Sequence, residues 1–194
     1  VSALHFDEAT HTYTVGGRVV PSVTQILASV DRDLWRVPPG VLEAAAALGT
    51  AVHKATELDD LADLDEESLA PQIAPYLAAW RRFRAETGFA PVAIEERLHN
   101  AMYGYCGTLD RVGHLDGQRA LLDIKSGMQW PSHGPQTAAY QDAYERQSGK
   151  KIDLRLVVYL RDDGTYRMVA QRDKSDWSVF LAALTIHKFT TKEQ

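Results

Sequence analysis

The sequence predicts an α/β fold in which a mixed β-sheet is flanked by helices and preceded by an N-terminal β-hairpin. Apolar residues recur at helical spacing between residues 41 and 90, and period-two alternation takes over after Pro91. A further helical segment then separates two late strand candidates from the earlier ones, as in a sheet with helical connections. The chain has 194 residues, 45% hydrophobic and 24% charged, which suits one domain and excludes a disordered or fibrous protein. Within that domain, 1–194, the expected parts are a hairpin and short helix over 1–30, a helical part over 41–90 and the sheet with its helices over 91–194.

From His11 to Val20, Tyr13 and Val15 alternate with threonine and break at Gly16-Gly17, the signal of a tight hairpin turn. Ser22 is placed to cap a short helix. The alanine-rich run from Val41 to about Leu61 has high helix propensity, is entered through Pro38-Pro39-Gly40 and carries Gly49 as a weak point. A second long helix is expected from Leu69 to Glu86, where Ile73, Tyr76, Leu77, Trp80 and Phe83 form a core-facing stripe that ends at Gly88. Strands are expected at Val92–Leu98, Gly107–Leu115, Arg119–Lys125, Ile152–Leu160 and Tyr166–Gln171, with turns at Asp116-Gly117 and Asp162-Asp163-Gly164. Pro135 suits the first turn of a helix with Gln136, Ala139, Tyr140, Ala143 and Tyr144 on one face, and Asp173 or Ser175 caps a last helix through Phe189.

The single cysteine, Cys106, can form no internal disulfide and no four-thiolate cluster, and is expected to be a buried or half-buried small side chain. No stretch is apolar for the ~18 residues of a membrane span, and the first thirty residues lack a signal-peptide core, so a soluble cytoplasmic protein without membrane contact is expected. The net charge of −5 argues against a nucleic-acid partner, but seven acids between Glu57 and Glu67 account for it, and without them it becomes +2. Arg81, Arg82, Arg84, Lys150 and Lys151 are candidate phosphate contacts, set against the plainer reading of a solvated helix face and a loop. The acidic run itself reads as a solvated helix end. Metalloprotease, P-loop and nucleophile-elbow motifs are absent.

Chemistry concentrates in Gly107-Thr108-Leu109-Asp110-Arg111-Val112 and Leu121-Leu122-Asp123-Ile124-Lys125-Ser126-Gly127, joined by the Asp116-Gly117 turn. If those two residues form the turn, Leu115 pairs with Gln118 and the register carries Asp110 opposite Asp123, with Lys125 on the same face and Leu122, Ile124 and Leu109 on the other. Two carboxylates facing each other on a sheet call for a cation, and hard oxygen ligands suit Mg2+ or Mn2+. Such an ion polarises a phosphoryl oxygen and acidifies bound water, while an adjacent lysine orients that water. The plain alternative is an Asp–Lys ladder on a solvent face.

Asp110 with Asp123-Ile124-Lys125 resembles the signature of the PD-(D/E)XK nucleases. Gly49-Thr50-Ala51-Val52-His53 is similar to the G-x-x-x-H helix of their RecB-like branch, and Gln136-Thr137-Ala138-Ala139-Tyr140 to its Q-x-x-x-Y helix. The opening His5-Phe6-Asp7-Glu8 through Leu27 resembles phage-encoded members. The branch includes CRISPR adaptation nucleases that carry four cysteines for an iron–sulfur cluster. With Cys106 alone, this chain resembles the cluster-free subset, and no iron–sulfur cluster is expected.

The resemblance implies a restriction-endonuclease-like fold and a metal-dependent deoxyribonuclease. It implies that His53, Asp110, Asp123 and the Ile124 carbonyl hold one or two Mg2+ or Mn2+ ions, with the imidazole tilting preference towards manganese. Lys125 would position the attacking water, and Gln136 and Tyr140 would order the strand. Glu57, one turn from His53, and Glu95, chosen over Glu96 because alternation lets only one of the two point into the cleft, are candidate supports of the metal ligands. The expected substrate is linear double- or single-stranded DNA, the expected mode exonucleolytic in recombination, repair or phage replication, and a single-strand annealing or recombination protein is a candidate partner. A structure- or sequence-selective endonuclease, or a DNA-binding module without catalysis, is the alternative.

Overall fold

The structure, a computed structural model, describes residues 3–31 and 37–191; Val1, Ser2, residues 32–36 and the last three positions of the expected domain lie outside the described residues. Two sheets form. The smaller is antiparallel, β1 (Leu4–Asp7), β2 (Thr12–Val15) and β3 (Arg18–Val20), so the expected hairpin gains a third strand. Gly16 and Gly17, at φ 57° and 77°, make its turn. Ser22 caps α1 (Val23–Leu27) with a capping box completed by Gln25.

The larger sheet has five strands in sequential order: β4 (Ala90–Asn100), β5 (Tyr105–Leu115), β6 (Gln118–Lys125), β7 (Leu154–Leu160) and β8 (Tyr166–Ala170). Only β6 and β7 are parallel, and α4 (His133–Ser148) supplies the crossover between them. With α2 (Pro39–Asp60), α3 (Ala74–Thr87) and α5 (Asp176–Thr191), this is a mixed sheet flanked by helices, consistent with the restriction-endonuclease-like expectation. Among the described residues no helix is long and apolar enough to cross a membrane.

Each face of the sheet carries its own core. One packs α1, α4 and α5 on Leu98, Tyr105, Leu109, Val112 and Leu121, and the other packs α2 and α3 on Leu115, Ala120, Leu122, Ile124, Leu156, Val158 and Leu160. The stripe Ile73, Tyr76, Leu77, Trp80 and Phe83 lies in the second core. Its helix begins at Ala74 rather than Leu69, because Pro75 lacks an N–H and its ring suits only the first helical turn. Gly88 ends it at φ 67°. Cys106 is buried, and burial pushes its thiol up to about 12.

The β5–β6 register is the expected one from Leu115–Gln118 to Arg111–Leu122, around a turn with Asp116 and Gly117 at φ 48° and 76°. The expectation for Leu109 is corrected: it packs with α1, α4 and α5, in the layer opposite Leu122 and Ile124. Arg111, two residues on, stacks over Trp80 in the other layer, so alternation breaks at Asp110. Across the ladder, Glu95 sits at φ 48°, a left-handed conformation rare for a side chain of this size.

Gly113 is a position where β5 tolerates no side chain, since a Cβ there would collide with the Ala90 carbonyl oxygen and the Phe89 ring. Gly113→Ala is expected to destabilise the fold by about 1–3 kcal/mol, read as a lowered urea midpoint at unchanged m-value.

Candidate active site

The broken alternation puts two acids and a histidine at one place. The β5–β6 ladder stops at Arg111–Leu122, and beyond it the Asp110 side chain substitutes for a backbone acceptor: its Oδ2 accepts the Ile124 N–H at 2.6 Å. Its Oδ1 lies 3.6 Å from His53 Nδ1, and Glu95 Oε1 lies 3.8 Å from the same nitrogen. His53 arrives from the middle of α2, and its Nε2 sits 2.9 Å from the Ile124 carbonyl oxygen. One donor atom each from His53, Glu95 and Asp110 fall within 4.8 Å of one another.

Asp123 and Lys125 project beside this group. Lys125 Nζ donates to Asp123 Oδ1 at 3.0 Å; it is also 2.9 Å from Oδ2, yet that buried oxygen has no aligned donor. Burial raises both Asp110 and Asp123 above the usual carboxylate range, with the positive charges of His53 and Lys125 working against it. Burial alone would lower His53, but the Asp110 carboxylate and Glu95 outweigh it and raise the ring to about 9. Lys125 is likewise raised, by Asp123 and Asp110 against burial. At neutral pH both cations are therefore charged, which is what a dry pocket of carboxylates demands.

These groups lie in a cleft of about 850 Å³ whose walls come from the small sheet (Phe6, His11, Tyr13), α2 (Gly49, His53, Lys54, Glu57) and the segment after β6 (Ser126, Gly127, Met128, Trp130). Gln136 and Tyr140 of α4 close it, with Gln136 Nε2 donating to Tyr140 Oη at 3.2 Å. The Tyr140 ring rests directly on Gly107, where a Cβ would overlap it. Burial and the nearby Asp123 charge raise the phenol well above its ordinary value, so it stays protonated.

Other expectations are corrected. Glu57 does not hold His53; it pairs with Lys54 at 3.0 Å, because the imidazole turns inward to Ile124, Asp110 and Glu95. Arg81, Arg82 and Arg84 do not reach the cleft. Arg84 pairs with Asp60 at 2.6 Å, Arg81 with Asp59 and Glu66, and Arg82 with Glu86 at 2.7 Å. Lys151 pairs with Glu145 at 2.9 Å, and neither it nor Lys150 lines the cleft. Within the acidic run, Asp59, Asp60 and Glu66 are counter-charges of α3, while Asp63, Asp65 and Glu67 are exposed, as the solvated-end reading expects. The cations that do line the cleft, besides His53 and Lys125, are Lys54 and Arg97.

Sequence reasoning passed over two residues. His133 lines the cleft, buried, with Nδ1 2.8 Å from Tyr159 Oη, and burial with Lys125 nearby lowers it to about 4, so it is neutral. Arg111 is wholly buried and bonds to both Asp60 and Glu95. Neither carries a local signal: His133 lies in a Pro- and Gly-containing connection, and Arg111 simply follows Asp110 in a strand.

The donor set fits a divalent cation. It is mainly carboxylate and carbonyl oxygen with one imidazole, as Mg2+ and Mn2+ prefer. His53 presents Nδ1 to the Asp110 and Glu95 carboxylates and Nε2 to the Ile124 oxygen, so the ring meets the acids through Nδ1. Without an ion, the His53 imidazolium is the substitute. Its folded value of about 9 exceeds the ordinary 6.5, so its contribution to stability is complete below pH 6.5 and is lost as pH rises through about 9. In chelator, Tm is expected to fall across that window, and His53→Gln to flatten the fall.

Residues 25–187 match the PD-(D/E)XK nuclease superfamily. Among solved structures, a candidate exonuclease from Eubacterium rectale is similar at a TM-score of 0.51 and 11% identity, over 72% of this chain and 64% of that one. This chain therefore spans less than two thirds of that protein. An alkaline exonuclease from Laribacter hongkongensis is similar at 17% identity over 73% of this chain and 81% of that one, TM-score 0.35. A complex of that enzyme with dAMP is similar at 14% identity over 90% and 92%, TM-score 0.31. At these identities the likeness to the first shows the fold alone, and no curated protein matches. The family match covers most of the chain, including the Asp110, Asp123 and Lys125 strands, and the protein belongs to the PD-(D/E)XK nuclease superfamily.

Proposed function

We propose that the protein is a divalent-metal-dependent deoxyribonuclease that hydrolyses phosphodiester bonds. The observation that carries this reading is the convergence of His53, Glu95 and Asp110 within 4.8 Å of one another, next to the Lys125–Asp123 pair, in a chain of a nuclease superfamily. Asp110, Glu95 and His53 would hold the ion, and the other expected ligands, Asp123 and the Ile124 carbonyl, stand beside them on Lys125 and on His53 Nε2. When bound, the ion supplies Lewis-acid stabilisation of the phosphoryl oxygens and lowers the pKa of a water ligand.

The remaining work falls to the side chains. Asp123 keeps the Lys125 ammonium charged and fixed, so that it orients the attacking water and meets negative charge developing on the phosphate. The Gln136 amide and the protonated Tyr140 phenol offer donors to the strand being cut. Burial of Asp110 and Asp123 excludes bulk water and strengthens each of these contacts. His53 gives up its proton to become a ligand, which couples ion binding to pH.

The narrower reading is an exonuclease on linear DNA, taken from the resemblance in the sequence and from the name given to the Eubacterium rectale protein whose fold it shares. DNA as substrate follows from the nuclease family.

The deciding measurement is cleavage of end-labelled linear duplex and single-stranded DNA with Mn2+, Mg2+ or chelator. Cleavage is expected with either ion and none in chelator, and Lys125→Ala is expected to lose on the order of 10²–10³-fold in rate with its fold intact. Undiminished activity in that variant would overturn the role of Lys125, and cleavage in chelator would overturn the metal. A circular substrate separates the modes: resistance supports the exonuclease, and nicking supports an endonuclease.

A further inference from the structure

Arg111 is the largest charged side chain in the interior, with 0% of it exposed, and charges are placed there only when fully paired. Its Nε donates to Asp60 Oδ2 at 2.6 Å and one terminal nitrogen donates to Glu95 Oε1 at 2.8 Å. That same nitrogen reaches the Asp110 carbonyl at 2.6 Å, and the other reaches Thr56 Oγ1 at 3.3 Å. One guanidinium thus spans two groups of the proposed metal site and two residues of α2.

Asp60 is the other anchor. It is the last residue of α2, at the negative end of the helix dipole, where a carboxylate is disfavoured unless something compensates it. Here it is wholly buried and accepts from Trp80 Nε1 at 3.0 Å and Arg84 at 2.6 Å as well as from Arg111. Seven residues separate it from His53, two helical turns, so His53, Thr56 and Asp60 lie on one face of α2. That face meets the sheet twice: at His53, through Ile124 and Asp110, and at Asp60, through Arg111.

Glu95 shows what the anchor holds. Its φ of 48° is a strained conformation for a residue of this kind and persists only where surroundings impose it. The Arg111 contact is the short bond on its carboxylate, and the strained backbone turns that carboxylate towards His53 and Asp110.

We propose that Arg111 and Asp60 are positioning residues of the metal site: they hold Glu95 from the sheet and His53 from α2 at the separation a divalent ion requires. This rests on the metal-nuclease reading above. Neither residue touches the ion or the substrate; Asp60 acts through Arg111, and Arg111 through Glu95 and the placement of α2. Lysine does not replace the fork, because a single ammonium lacks the planar array of donors that serves both acids at once.

The test is Mn2+ affinity of the whole chain by titration calorimetry without DNA, for wild type, Asp60→Asn, Arg111→Lys and Leu184→Ala. The last removes a buried side chain from the opposite core and calibrates general destabilisation. Asp60→Asn and Arg111→Lys are expected to weaken Mn2+ binding about 10- to 100-fold, the usual effect of removing a residue that orients a metal ligand. Cleavage in both should recover as Mn2+ is raised, with Leu184→Ala binding as wild type does. Wild-type affinity in either folded variant, or an equal loss in Leu184→Ala, would reduce the network to scaffolding and overturn the proposal. If one variant fails to fold, the other decides. Wild type that binds no Mn2+ would overturn the metal reading and this proposal with it, whereas wild-type binding with unaffected variants overturns this proposal alone.

Discussion

Asp110 and Asp123 are both buried where two strands of the central sheet part, and this burial of like charge governs the rest of the site. Desolvation opposes ionisation of each, Glu95 raises Asp110 further, and Asp110 raises Asp123. A folded chain tolerates such a pair only with cations and donors arranged around it. Lys125 answers Asp123, His53 and the Ile124 N–H answer Asp110, and Arg111 answers Glu95. Taking Lys125 away would leave Asp123 in a dry place without a partner.

The same constraint explains how the helices are used. α2 delivers its imidazole to the carboxylates from the middle of the helix and a carboxylate to Arg111 from its end. Asp59 and Asp60 at that end also hold α3 through Arg81 and Arg84, so a stretch with no evident chemistry in sequence joins two helices to the sheet. A basic cluster that looks outward on a helical wheel is consumed internally. The cleft is left with few cations of its own, and an ion held by Asp110, Glu95 and His53 would add positive charge where a phosphate has to sit.

Much of this was legible beforehand because it is local. The Asp116-Gly117 turn dictates the hairpin register through its backbone handedness, and the register then carries Asp110 and Asp123 to one end of the ladder. Gln136 and Tyr140 meet because four residues make one helical turn. Ser22 and Gln25 announce their helix through side chains that reach their own backbone.

What the sequence by itself determined, then, was the order and type of the elements, the pairing of β5 with β6, and the residues bearing chemistry, since each depends on contacts a few positions apart. Only the tertiary structure decided which of those residues meet. Strict alternation would place Leu109 with Leu122 and gives no hint that Asp110 and Glu95 mark a shared break. A backbone at positive φ in a glutamate is imposed by partners distant in sequence, here Arg111, 16 residues from it, and beyond that Asp60, 51 residues from Arg111. The same holds for Arg81 and Arg84: whether a surface arginine faces a phosphate or an aspartate depends on which helix packs beside it, and periodicity carries no record of that.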